Sequence, residues 1–362
     1  MYNIVNVFGN MGKGSGYRQA ITNIMECFND SKIPCNFYSM GNYNNSHNFI
    51  QAEKFGNINF ILSAPPYKIK MSKYNIAYFY WESDKLPIVW RKDLMSMDEI
   101  WCPCKLVEDG VKKIGFRGIT RIVPTPMRKV KRNILPVNLN VYQNLFLDEK
   151  CFKFYSIFQW QYRKGYDCLI KAYLNEFKHN EDVILIIKTN PLLTDNLRHD
   201  ITSFVNNIKK YIHKSSYAKI AVIDNFITNK EIDGLHQLCD CFVLPHRGEG
   251  WGMPIARSIM HDKHLITTKY GGITEYLDNS TASLVDHSMQ PVTNMEWCKL
   301  YGSDQLWAEP KQASLQRHMR DVFSNEKDNF SKILNRDHIK NILSKEYFIN
   351  FIEKEFLSER FL

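Results

Sequence analysis

Glu249 stands in "LPHRGEGWGMPIARSIM" (244–260), where an apolar run ends at Leu244, glycines recur at 248, 250 and 252, and a helical pattern opens near Pro254. Proline is tolerated in a helix's first turn because its missing N–H would be unpaired there anyway. Such a loop brings a carboxylate, free backbone amides and the positive end of a helix dipole to the carboxyl edge of a sheet. Amides and dipole suit an anionic ligand, and the carboxylate suits sugar hydroxyls, from which it accepts charge-assisted hydrogen bonds. A second phosphate-like stretch, "FGNMGKGSGY" (8–17), sits near the start of the chain. Gly9 and Gly14 have the separation of a Walker loop, but Lys13 precedes Gly14 and Ser15 follows it directly. The lysine is out of register for a γ-phosphate.

Both stretches need strands to end at them, and the pattern supplies these. "YNIVNVFG" reads as a strand running through the glycine turn into the helical "YRQAITNIMECFNDS", the opening unit of a parallel α/β sheet. Apolar runs at "INFILSA", "YNIAYFYW" and "DEIWCPC" continue it to about residue 126. A polar, basic stretch follows. A second alternation begins at "CFKFYSIFQW" and passes through "DVILIIKT", "KIAVIDNF", "DCFVLPH" and "HLITTKY". The pattern predicts a first α/β domain over 1–127, a linker over 128–150 and a second α/β domain over 151–336. The closing stretch, from about 337 to 362, is amphipathic at helical spacing and needs a surface to dock on.

With 362 residues, 44% hydrophobic and 23% charged, the composition is that of a globular chain and excludes disordered and fibrous classes. No apolar run reaches the roughly 20 residues of a membrane span, and the first residues lack the basic and apolar regions of a signal peptide. A cytoplasmic location is the expectation. Nine scattered cysteines fit reduced thiols. The pairs Cys102/Cys104 and Cys239/Cys241 lack redox or zinc spacing and read as buried strand residues. The formal charge of +9 is concentrated between Lys105 and Arg132. That block offers an anionic acceptor, a membrane surface or, less favoured, nucleic acid as a partner, against the plainer reading of a solvated helix and linker. His261 and His264 are read as flanking an exposed turn.

"EGWGMPIARSIM" followed by "GGITEYL" resembles the donor-site motif of family 4 glycosyltransferases, retaining enzymes of the GT-B fold. The similarity extends to "YWESDKLPIVWRKDLMSMDEIWCPC", "FQWQYRKGYDCLIKAYLNEF" and "LWAEPKQASLQRHMR", and so covers most of the chain. The resemblance implies two Rossmann-like domains with a cleft between them, the first facing the acceptor and the second holding a nucleotide-sugar donor. It also implies a C-terminal helix crossing back to the first domain.

Residue by residue, Glu249 matches the glutamate that holds donor sugar hydroxyls, and Lys164 the lysine of the diphosphate clamp. The clamp's arginine is replaced by Gln159, leaving Arg163 as the second cation. The glutamate that binds the nucleotide ribose is replaced by Arg257. Gly14, Ser15 and Gly16 resemble the turn whose amides approach the donor phosphates. His246, Gly250, Trp251, Gly252 and Met253 complete the expected donor-binding set. Gly271, Gly272 and Glu275 match a downstream loop without an assigned role, Glu82 is expected at the cleft against acceptor or sugar, and Trp81 is read as core. The implied activity is transfer of a sugar from a UDP- or GDP-sugar to a glycan, lipid-linked or other acceptor, with no further cofactor and no metal; modified nucleic acid is an alternative acceptor. Two rival readings stand beside it: a binding protein that keeps the fold without the chemistry, and an epimerase or phosphorylase of the same fold. Oligomeric state is open.

Overall fold

The computed structural model describes residues 4–9, 16–40, 55–130, 150–190, 196–325 and 336–358. In the first domain the strands β1 (Val5–Gly9), β2 (Cys35–Ser39), β3 (Ile58–Leu62), β4 (Tyr74–Tyr78), β5 (Glu99–Cys102) and β6 (Ile119–Ile122) form one parallel sheet in the order β2-β1-β3-β4-β5-β6. Helix α1 (Gly16–Asp30) covers it with a stripe of Ala20, Ile21, Ile24, Met25, Cys27 and Phe28, the spacing of one helical face. Helix α2 (Lys105–Lys113) follows β5. A row of asparagines pins the register of four strands. Asn36, Asn6, Asn59 and Asn75 are direct neighbours across β2, β1, β3 and β4. Their side-chain amides bond in series at 3.2, 3.0 and 2.9 Å. A slip by one residue would leave these buried amides unpaired, at about 1–3 kcal/mol for each group.

The second domain repeats the plan. Strands β7 (Phe152–Gln159), β8 (Val183–Asn190), β9 (Lys219–Ile223), β10 (Cys241–Leu244), β11 (His264–Thr268) and β12 (Ser283–Val285) form a parallel sheet in the order β12-β11-β10-β7-β8-β9. Helices α3 (Tyr166–Glu176), α4 (Leu197–Ile212), α5 (Asn229–Leu238), α6 (Met253–Met260) and α7 (Gln312–Ser324) surround it. Seven buried residues in succession, Val183 to Thr189, mark β8 as a strand covered on both faces. An antiparallel hairpin, β13 (His287–Pro291) and β14 (Leu306–Pro310), leaves this domain toward the first.

The chain then crosses back. Ile339 of α8 (Asp337–Ile342) packs in the second core, while Phe348, Ile352 and Phe356 of α9 (Lys345–Phe356) enter the first. Phe356 lies 5.8 Å from Phe28 and 5.5 Å from Trp101 between ring centres. Each of these three side chains contributes about 2 kcal/mol of burial. That is the destination of the closing amphipathic stretch.

Cys102, Cys104, Cys239 and Cys241 are all fully buried free thiols. Of the segment 128–150, only residues 128–130 and 150 lie among the described residues. No helix of the described residues is long and apolar enough to cross a membrane. The basic block is largely answered by carboxylates. Lys105 and Lys112 pair with Glu108, Arg121 with Glu99 and Glu355, Arg128 with Glu26, and Lys129 with Glu346. Most of these acids lie far away in sequence, so their pairing could not be read from the charge along the chain. Lys131 and Arg132 lie outside the described residues.

Candidate active site

The loop after β10 is shaped by where its glycines must fit. A Cβ on Gly248 would lie 2.3 Å from the backbone oxygen of Glu82, so only glycine lets this loop touch the first domain there. Gly252 takes φ of 82° as it turns into α6, a conformation that side chains resist. Gly272 donates its N–H to the Glu249 carbonyl at 2.7 Å and holds the loop from behind. Glu275 reaches the other domain, accepting from the Lys105 N–H at 2.5 Å at the start of α2.

Four charged side chains meet at this contact. Lys164 donates to Oε1 of Glu249. Arg163 lies 3.8 Å from Oε2 of the same carboxylate and 3.3 Å from Oε1 of Glu82. Arg163 also donates to the Gly248 carbonyl at 2.6 Å, and Tyr301 donates to Oε2 of Glu82 at 2.8 Å. Cation and anion therefore alternate from Lys164 through Glu249 and Arg163 to Glu82, crossing between the domains. Glu249, Arg163 and Lys164 are each buried. Burial alone would raise the Glu249 carboxyl, but Lys164 and Arg163 together hold it below its ordinary range. Burial and the neighbouring Arg163 lower the Lys164 ammonium, with Glu249 opposing.

A further arginine fixes the frame. Arg247 is fully buried and bidentate to Asp167 at 2.7 and 3.0 Å and to Glu309 at 2.6 and 2.7 Å. Its guanidinium lies 3.5 Å above the Tyr162 ring. It thereby binds the turn carrying Arg163 and Lys164 to the loop carrying Glu249. Arg247, Tyr301 and Glu309 were not singled out in the sequence. "HRGEG" and "WAEP" held two of them in view, but their pairing spans 62 residues.

His246 is buried with both ring nitrogens lacking a partner among the described residues, and burial pushes it down to about 3, so the ring is neutral. Trp251 packs in the core against Tyr276 at 5.0 Å. Trp81 is core as well, donating to Ser83 Oγ and the Lys85 carbonyl at 2.7 Å each. Gly250 lies against Tyr80 and Trp81. His261 is not at an exposed turn. Its ring stacks on His236 at 4.9 Å and bonds to Asp233 at 2.8 Å. Gly14 and Ser15 fall outside the described residues, and Gly16 is the first residue of α1.

Beside the cluster opens a cleft of about 620 Å³ between the domains. Arg18, Gln19 and Thr22 of α1 form one side, and Met253, Pro254 and Arg257 of α6 the other. Gln159 and Asn190, at the carboxyl ends of β7 and β8, also line it. Glu82, Arg163, Lys164 and Glu249 do not line this cleft, although Met253 follows Glu249 by only four residues. Arg257 is held by Asp233 at 2.7 Å and by the Asn229 carbonyl at 2.8 Å. It donates to Oδ1 of Asn229 at 3.2 Å, and Asn229 in turn donates to Gln19 of the first domain at 3.0 Å. Where a carboxylate was expected for ribose, an arginine braces the two sides. Among the described residues no group of three or more His, Cys, Asp or Glu could hold a metal ion.

Residues 142–291 match the family model described as glycosyl transferases group 1. Comparison with curated proteins returns no match. Among solved structures, Anabaena HepE in complex with UDP and glucose aligns over 98% of this chain and 100% of that one, at 10% identity and a TM-score of 0.66. The same figures hold for HepE with UDP-glucose. Sucrose-phosphate synthase from Thermosynechococcus elongatus aligns over 98% of each chain, at 10% identity and a TM-score of 0.69. A glycosyltransferase from Rickettsia africae aligns over 99% of each, at 14% identity and a TM-score of 0.66. The fold is thus that of GT-B glycosyltransferases, two parallel-sheet Rossmann-like domains facing each other across a cleft.

Proposed function

We propose that the protein is a glycosyltransferase of the family 4 kind that moves a sugar from a nucleotide diphosphate sugar to an acceptor hydroxyl with retention at the anomeric carbon. The observation that carries this reading is the buried alternation of Lys164, Glu249, Arg163 and Glu82 at the contact between two domains, beside a cation-lined cleft. In this reading residues 1–127 face the acceptor and residues 151–336 hold the donor. UDP is the first nucleotide to test, because the similar HepE structures hold UDP or UDP-glucose.

The reaction breaks the bond between the anomeric carbon and the leaving phosphate oxygen and forms one to the acceptor oxygen. The acceptor's proton passes to the departing phosphate. Lys164 and Arg163 stabilise the charge that develops on the diphosphate, in a site where burial strengthens their effect. Glu249 accepts hydrogen bonds from sugar hydroxyls and fixes the ring. Binding requires its bond with Lys164 to be shared with the ligand, which couples donor entry to a rearrangement of the cluster. Glu82, held by Arg163 and Tyr301, faces the acceptor or the transferred sugar. Domain closure over the donor is the expected conformational step.

The test is incubation with a panel of UDP- and GDP-sugars plus candidate acceptors, following release of the nucleoside diphosphate and the anomeric configuration of the product by NMR. Release that requires an acceptor and yields a retained linkage supports the reading. An inverted product refutes retention, and a rearranged sugar without acceptor moves the assignment to an isomerising enzyme. Binding of sugar nucleotides without turnover supports the non-catalytic alternative.

A further inference from the structure

Lys188 is a buried cation that forms no ion pair among the described residues. It lies near the carboxyl end of β8, opposite Ile157 of β7, with Asn190 and Gln159 paired two positions further on. The residue is 2% exposed, yet it lines the interdomain cleft. Its ammonium donates to the Thr189 carbonyl at 2.9 Å and to Oδ1 of Asn190 at 2.6 Å. It forms no ion pair with any described carboxylate. Asp224, the acid whose field acts on it, is held in a fork by Arg198 at 2.9 and 2.5 Å. Burial without a partner pushes Lys188 down to about 8.

A second buried group points the same way. His236 is fully buried and lines the same cleft. Its Nδ1 lies 2.6 Å from the Tyr155 hydroxyl, while Nε2 has no partner among the described residues. Donation by the Tyr155 hydroxyl to Nδ1 uses that buried O–H and leaves Nε2 as the N–H donor. The remaining cations of the lining are Arg18, Arg128 and Arg257, and no carboxylate is among the described lining residues. Arg128 and Arg257 are answered by Glu26 and Asp233. The cleft therefore offers donors and positive charge to whatever enters it, with Lys188 as a lining cation that forms no ion pair with a described carboxylate.

We propose that Lys188, together with the Nε2–H of His236, binds a phosphate of the nucleotide donor, so that the cation missing at Gln159 is supplied by the neighbouring strand. The assignment rests on the nucleotide-sugar reading above. Gln159 and Asn190 are in register, and Asn190 already accepts from the Lys188 ammonium, so the lysine is tethered next to the position where the arginine was expected. An entering phosphate completes the missing ion pair through a charge-assisted hydrogen bond.

The test compares wild type with Lys188→Met and Lys188→Gln by calorimetric titration with UDP, GDP and uridine, alongside melting of the unliganded proteins. Methionine keeps the volume without the charge, and glutamine keeps a donor to Thr189 or Asn190 if methionine fails to fold. Loss of a charge-assisted phosphate contact should weaken UDP or GDP binding by about 10- to 100-fold. Uridine affinity should be unchanged. The unliganded variants should melt no lower than wild type, since an unpaired buried charge is removed. This opposition, with stability kept and diphosphate affinity lost, separates a binding role from a packing role. Equal UDP and GDP affinity in wild type and variants overturns the Lys188 assignment alone. A wild type that binds no nucleoside diphosphate overturns the donor reading and the assignment with it.

Discussion

The cluster around Glu249 and the cleft floor around Lys188 are both buried and both charged, yet they are built in opposite ways. In the cluster every charge has an answer: Lys164 and Arg163 flank Glu249, and Arg163 and Tyr301 flank Glu82. On the floor, the described residues meet the Lys188 ammonium with a carbonyl and an amide oxygen, and leave one ring nitrogen of His236 unused. Balanced charge fixes geometry, because removing either partner strands the other in a low-dielectric site. Unbalanced charge creates affinity, because the missing partner must arrive from outside.

The comparison breaks most sharply at Lys164. Lys164→Ala should lower sugar transfer by at least about 100-fold, the scale seen when one stabiliser of developing charge is lost. It should also reduce stability by about 3 kcal/mol by stranding Glu249. Initial rates and urea midpoints measure the two effects. An unchanged rate would remove Lys164 from the reaction. Arg247→Met tests the frame. It leaves Asp167 and Glu309 without their shared cation and should cost about 3 kcal/mol. Donor affinity should fall with it, because the two loops of the cluster lose their common anchor.

Acid provides a smaller perturbation. Above pH 6.5 a neutral His246 costs nothing in either state. Below that, the unfolded chain takes up a proton that the folded ring refuses down to about pH 3, so stability falls with pH across this window. His264, pushed down to about 4, adds in the same direction. Urea midpoints at pH 7.5 and 5 should show the loss, and a flat profile would mean that these rings are not sequestered. The smallest effect belongs to the exposed basic block. Lys129→Ala should leave the melting temperature and transfer rate unchanged, because its pair with Glu346 is exposed on both sides. A large drop in rate would return this block to the acceptor site.

Much of the scaffold could be read from periodicity, since "VILIIKT" and "CFVLPH" are continuous buried runs and α1 carries a clean stripe. The edge strands were harder. "ITRI" of β6 is exposed or half-buried throughout, and "CNFYS" of β2 is short and partly polar. The asparagines in "VNV", "CNF", "INF" and "YNI" repeat at one register, but only the sheet order turns that repetition into a ladder. At the site, Glu249 was legible because glycines and a helix start surround it. Lys188 was hidden as the polar end of an apolar strand, and His236 as one residue of an amphipathic helix. The ion pairs of the basic block were hidden because Glu26, Glu99, Glu346 and Glu355 approach it only after folding.

The most direct measurement is a thermal shift of the wild-type protein against UDP, GDP, ADP and CMP, with ATP and Mg²⁺ as control. A nucleoside diphosphate at about 100 times its dissociation constant should add roughly 2.7 kcal/mol of apparent stability. One diphosphate should stand out, and the triphosphate should gain nothing over it. Melting curves unmoved by every nucleotide would contradict a donor site in this cleft.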